Sequence, residues 1–119
     1  MPIMCIFRVP DATPADYDEV RSLVRWEESP PAGAIAHFLT FTDAGAVEYD
    51  VWESRAAFER FHVGRMAPVL AELGIDMGRP EIVELDGVAI ADRVAAYQVP
   101  RPAPRSAAHR VILETDALA

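Results

Sequence analysis

The sequence predicts an α+β domain in the order βαββαβ, and three observations carry that reading. Short apolar or alternating runs rich in β-branched and aromatic residues occupy positions 3–9, 34–42, 46–53 and 81–90. Two longer stretches, after the first run and after the third, repeat their apolar residues at spacings of three and four. Each of those stretches opens on a hydroxyl side chain, Thr13 or Ser54, suited to cap a helix.

Residues 3–9, IMCIFRV, form the first strand, which Pro10 stops. Thr13-Pro14 supplies an N-cap and a first-turn proline, and Asp16 stands where the helix dipole favours an acid. That helix carries Tyr17, Val20, Leu23 and Val24 on its apolar side and is expected to run to Ser29-Pro30-Pro31. AIAHFLTFT (34–42) and AVEYDVWE (46–53) flank the turn Asp43-Ala44-Gly45 and make a hairpin. Ser54 opens a second helix with Phe58, Phe61, Val69 and Leu73 on its apolar face and Gly74 at its end. Pro68 removes one amide donor and crowds the carbonyl of Gly64, so a kink or a joint is expected near residues 64–67. EIVELDGVAI (81–90) is the last strand, bent at Asp86-Gly87.

This order is the split-βαβ, ferredoxin-like arrangement, a four-stranded antiparallel sheet with two helices on one face. The opposite face, coated by Val47, Tyr49 and Val51, would stay apolar and open in a monomer, so a homodimer is expected. The domain is read as residues 1–91. Residues 92–119, with prolines at 100, 102 and 104 and four arginines, read as an extended arm in which 111–113 could add a short strand.

At 119 residues the chain is one domain with a core that needs no disulfide or metal. Its formal net charge is −8 and none of its eleven basic residues is lysine, so no basic stripe exists to follow a nucleic acid. No apolar run approaches the roughly 20 residues that span a bilayer. The lone cysteine, Cys5, and the lack of an export-type leader point to the cytoplasm. Cys5 alternates with apolar neighbours and reads as a buried, inert thiol. His37, His62 and His109 show no paired-ligand spacing and no phosphate-cradling loop occurs, so neither metal nor cofactor is expected.

One strand breaks the bland pattern. In EYDVWES (48–54), Val47, Tyr49 and Val51 share one face, while Glu48, Asp50 and Trp52 share the other. If that second face meets water, Trp52 is the misfit; if it meets a core or pocket, the acids need partners.

The βαββαβ order combined with VWESRAAFERF (51–61) and RMAPVLAELG (65–74) resembles the dimeric α+β barrel group that includes the antibiotic-biosynthesis monooxygenases. The resemblance covers residues 3–91. The spacing Gly33 to His37, the run DVWES and the pattern around Arg65, Pro68 and Leu70 are similar to small uncharacterised actinobacterial members. It implies two sheets meeting across a dimer, with a pocket between each sheet and its own helices. It also implies that Trp52 matches the tryptophan that holds an aromatic or polyketide-like substrate in the cofactor-free oxygenases. The asparagine four residues earlier in those enzymes is Glu48 here, and their tyrosine six residues later is Phe58. Haem-degrading relatives use an asparagine in strand one and a late helix-two histidine; strand one here has no asparagine and Ala71 stands in place of that histidine.

The residues themselves suggest proton chemistry. A two-residue turn at Ala44-Gly45 would set His37 opposite Trp52 and diagonal to Asp50, whereas a three-residue turn would send it to the other face. On one face, His37 and Asp50 are an acid–base pair able to take a proton from a phenol or an acidic carbon; otherwise His37 is a structural hydrogen-bonding residue. Asp50 in mid-strand needs a partner or a shifted pKa, with an ion pair to Arg8 or Arg65 as the plain alternative. Glu48, nearer the hairpin, reads as a solvated edge acid. Phe58 and Trp52 are core and substrate platform at once. His62 and Arg65 are expected toward the pocket mouth, where Arg65, or Arg8, could hold developing oxyanion charge; the alternative for Arg65 is a surface pair with Glu59 or Glu72. The reading is therefore a cofactor-independent oxygenase, cyclase or isomerase. A non-catalytic dimeric small-molecule-binding or interaction module is the alternative.

Overall fold

A computed structural model describes residues 1–98. Strand β1 (Ile3–Pro10) leads to helix α1 (Pro14–Val24), then to the hairpin β2 (Ala34–Thr42) and β3 (Gly45–Trp52). Helix α2 (Arg55–Phe61) passes through a π-helical turn (His62–Met66) into α3 (Ala67–Leu73), and β4 (Glu81–Glu84) follows. The sheet is antiparallel in the order β2-β3-β1-β4, the ferredoxin-like topology.

Local chemistry explains each boundary. Thr13 Oγ1 accepts from the Asp16 amide at 3.2 Å while Asp16 Oδ2 accepts from the Thr13 amide at 3.0 Å, a reciprocal capping box. α1 ends at Val24, short of the Ser29-Pro30-Pro31 stop, because Arg25 adopts a left-handed conformation (φ 58°) and returns its amide to the Arg21 carbonyl. Ser54 Oγ caps α2 through the Ala57 amide at 3.1 Å. The joint anticipated at Pro68 is the wide π turn, in which the Ala67 amide reaches back to the His62 carbonyl. β4 stops at Glu84 rather than at residue 90 because Glu84 is paired with Ile3, the first residue of β1. Beyond it the Leu85 amide donates to the Pro2 carbonyl at 2.9 Å. Residues 92–97, read as the start of an extended arm, form a 3-10 helix. The remaining arm, with its prolines, His109 and the 111–113 segment, lies outside the described residues.

The core fills the space between the sheet and α1–α3. Ile3, Cys5, Phe7 and Val9 from β1 meet Ala46 and Trp52 from β3, Val24 from α1, and Ala57, Phe58, Phe61 and Leu70 from α2 and α3. Strand parity therefore places Glu48, Asp50 and Trp52 under the helices, and Val47, Tyr49 and Val51 on the other side.

Candidate active site

The hairpin turn is two residues, Asp43-Ala44, closing on the pair Thr42 and Gly45. This is one residue earlier than the Ala44-Gly45 turn, so His37 stands directly across from Asp50, and Trp52 is paired with Ala34 instead. Gly45 makes the turn possible: its φ is 115°, and a Cβ there would lie 2.3 Å from the Val9 carbonyl oxygen. Directly paired residues on one face bring their side chains together, and His37 Nδ1 lies 2.5 Å from Asp50 Oδ1. A carboxylate only accepts, so in the neutral imidazole Nδ1 carries the proton and Nε2 is left with its lone pair. That lone pair accepts from the Tyr17 hydroxyl at 2.9 Å. Asp50, His37 and Tyr17 form one continuous hydrogen-bonded line from β3 through β2 to α1.

Aromatic rings hold the line in place. Tyr17 and His37 are parallel, with centroids 5.9 Å apart and planes 7° from one another. Trp26 tilts against His37 at 6.1 Å, and the edge of Phe41 meets Tyr17 at 6.3 Å. Burial would lower the basicity of His37, but the hydrogen bond and charge of Asp50, helped by Glu48 and Glu27, more than offset it and hold its pKa above the ordinary value. Burial, with the charge of Glu48 next, pushes the Tyr17 phenol well up, so it keeps its proton at neutral pH.

Glu48 is not a solvated edge acid. It is 7% exposed, under the helices, between Phe7 of β1 and Leu39 of β2. Burial raises its pKa to about 7; nearby His37 opposes this and Asp50 adds to it. Near Tyr17, Arg21 and Glu27 form a buried ion pair, and Glu27 Oε2 is enclosed without a partner.

The other expected site residues fall elsewhere. Trp52 is 1% exposed, packed against Phe58 at 6.0 Å and Phe61 at 5.2 Å, with its indole Nε1 buried and unpaired. Phe58 is core. His62 stacks on Phe7 (6.0 Å) and tilts against Phe58 (5.5 Å), and burial lowers its pKa. Arg65 does not point at the His37 line or pair with Glu59 or Glu72. Its guanidinium donates to the carbonyls of Val24 (2.7 Å), Arg25 (3.2 Å) and Ser29 (2.8 Å), closing the end of α1, and lies over the Phe61 ring. Arg8 alternates with Phe7 and Val9, so it lies on the far face, where it pairs with Glu81 at 3.2 Å in solvent. Neither arginine is the partner of Asp50; His37 is.

Sequence reasoning missed Tyr17 and Arg21. The signal was present, since a tyrosine on the buried side of α1 must place its hydroxyl on a partner, and Arg21 follows it one turn later. Among the described residues no cluster of three metal-ligating side chains occurs, and no helix is long and apolar enough to cross a membrane.

No protein-family model matches the chain, and no curated protein is similar to it. Solved structures are similar. One is a protein of unknown function from Nitrosomonas europaea (TM-score 0.55, 19% identity, covering 76% of this chain and 94% of that one). Another is SnoaB, a cofactor-independent oxygenase from Streptomyces nogalater (TM-score 0.52, 17% identity, 73% and 93%). A third is Rv0793 from Mycobacterium tuberculosis (TM-score 0.50, 18% identity, 77% and 100%). The likeness to these structures is one of fold: an α+β, ferredoxin-like domain.

Proposed function

We propose that this chain is a small-molecule enzyme that begins its reaction by removing a proton, using neither metal nor organic cofactor. The observation that carries the reading is the line Asp50–His37–Tyr17, with Nδ1 to Oδ1 at 2.5 Å and Nε2 to the tyrosine oxygen at 2.9 Å. Asp50 fixes the tautomer and steadies the imidazolium that forms. Tyr17, whose phenol stays protonated, delivers its proton to Nε2 as its oxygen takes one from the substrate. An acidic carbon or phenol on an aromatic or polyketide-like molecule suits the ring-lined surroundings of Trp26, Phe41 and Tyr17. The anion so formed is the common entry to oxygenation, cyclisation or isomerisation, and the fold shared with a cofactor-independent oxygenase supports this class.

The test is deuterium wash-in at the acidic carbon of bicyclic and tricyclic ketones, β-tetralone first, followed by proton NMR in heavy water. The wild type should accelerate exchange, and His37→Ala and Asp50→Asn should each lose at least roughly 100-fold of it while keeping a folded spectrum by circular dichroism. Undiminished exchange in both variants would overturn the proposal.

We also infer that a second copy covers the far face of the sheet, where Phe38 is 45% and Val83 40% exposed. Light scattering should give the dimer mass, and Phe38→Asp should give the monomer mass.

A further inference from the structure

The proton chain accounts for Asp50, His37 and Tyr17 but leaves Glu48 without a task. Glu48 is 7% exposed between Phe7 and Leu39, and a carboxyl in such surroundings is costly unless it is kept neutral or meets a partner or ligand. Its position is specific. Glu48 and Asp50 alternate on the helix-facing side of β3; Asp50 lies directly across from His37, and Glu48 therefore lies diagonal to it. Base and spare carboxyl rise from one patch of sheet beneath α1.

We propose that Glu48 is a second catalytic residue, a proton donor working opposite the His37 base, and that the substrate of this site is a ketone or enone undergoing a proton shift between carbon and oxygen. This deepens the function proposed above and rests on it. The C–H bond beside the carbonyl breaks, and its electron pair becomes the new carbon–carbon double bond. The carbonyl π pair forms an O–H bond with the Glu48 proton. The carbon's proton ends on His37 Nε2 by way of Tyr17, leaving an imidazolium and a Glu48 carboxylate. Return of the proton to the same or a conjugated carbon, with Glu48 recovering its own from the enol, restores the enzyme. The step needs no oxidant. A carboxylic acid held neutral in apolar surroundings is suited to meet developing enolate charge. Burial first, and then Asp50 on β3, favour its neutral form, while His37 on β2 opposes them; Tyr17 on α1 feels the charges of Glu48, Arg21, Glu27 and Asp50.

The test compares wild type, Glu48→Gln and His37→Ala in the β-tetralone exchange assay from about pH 5 to about pH 9. Glutamine keeps the shape and a hydrogen-bond donor but transfers no proton. Glu48→Gln should keep KM within roughly twofold, lower kcat by roughly 100-fold and abolish the fall in kcat above about pH 7 that ionisation of Glu48 causes in the wild type. Wild-type kcat and an unchanged alkaline limb in Glu48→Gln, with exchange lost in His37→Ala, would overturn the role of Glu48 and leave the base intact. Undiminished exchange in His37→Ala would instead overturn the base itself.

Discussion

His37 and Asp50 are cross-strand partners as well as hydrogen-bonding partners: the β2–β3 register sets them face to face, and Nδ1 meets Oδ1 at 2.5 Å. Both residues stand on paired strands, and the Asp43-Ala44 turn that fixes the register also fixes the pair. Asp50→Asn should keep the fold but leave the imidazole free to hold its proton on either nitrogen. Exchange of the acidic carbon should fall between roughly 100- and 10,000-fold, measured as deuterium wash-in.

Tyr17→Phe removes only the hydroxyl 2.9 Å from Nε2 and keeps the stacked ring. If the hydroxyl relays the proton, kcat should fall by roughly 100-fold with the melting temperature changed little, since one hydrogen bond contributes about 1 kcal/mol. Steady-state kinetics beside calorimetry separates the two effects.

Stability should depend on pH in an unusual direction. Glu48 has a native pKa of about 7 against 4.5 for an ordinary glutamate, so native protein holds a proton that the unfolded chain releases between those values. Stability is then lost as pH rises through that window, by on the order of 3 kcal/mol. His37, also raised, acts in the same sense: its contribution is present below the ordinary histidine value and is lost as pH climbs through the native one. Glu48→Gln should remove the Glu48 share of this slope and melt higher than wild type at about pH 8, in thermal unfolding followed across pH.

Arg65 closes α1 from the π turn by three charge-assisted hydrogen bonds to the Val24, Arg25 and Ser29 carbonyls. Arg65→Leu should cost about 2–3 kcal/mol in urea unfolding, because those carbonyls lose their donors. Arg65→Lys should recover only part, since a point charge cannot replace the planar fork.

Gly33 enters β2 with φ 85°, and a Cβ there would lie 2.5 Å from the Ala57 Cβ on α2. Its carbonyl accepts from the Glu53 amide at 2.8 Å, tying the start of the hairpin to the start of α2. Gly33→Ala combines left-handed strain with overpacking and should destabilise by about 3 kcal/mol, read from chemical denaturation.

Much of the fold is legible in the sequence because local rules agree with one another. Thr13 with Asp16, Ser54, and Gly74 mark helix ends, and alternation marks the strands. The site was legible in part. The strand parity of Glu48, Asp50 and Trp52 can be read directly, and that of β1 also excludes Arg8, which alternates with buried Phe7 and Val9. What sequence spacing leaves open is anything set at long range. The hairpin register depends on whether Gly45 lies inside the turn or closes it, a choice made by how closely it approaches Val9 on another strand. Arg65 finds carbonyls some forty positions away, and Tyr17 finds His37 across the layer, which no periodicity encodes. Burial of Glu48 follows from the helices lying over the hairpin end of β3, a tertiary fact.

The central claim is that Asp50 holds His37 as an Nδ1–H tautomer of raised basicity, with Nε2 turned to Tyr17. The most direct measurement is nitrogen-15 NMR of the imidazole titrated through neutral pH in wild type and Asp50→Asn. A neutral-limb shift pattern of the Nδ1–H form, a far-downfield Nδ1 proton and a midpoint above the ordinary histidine value, all lost in Asp50→Asn, is the result expected. An Nε2–H tautomer titrating at or below the ordinary value, unchanged by Asp50→Asn, would contradict it.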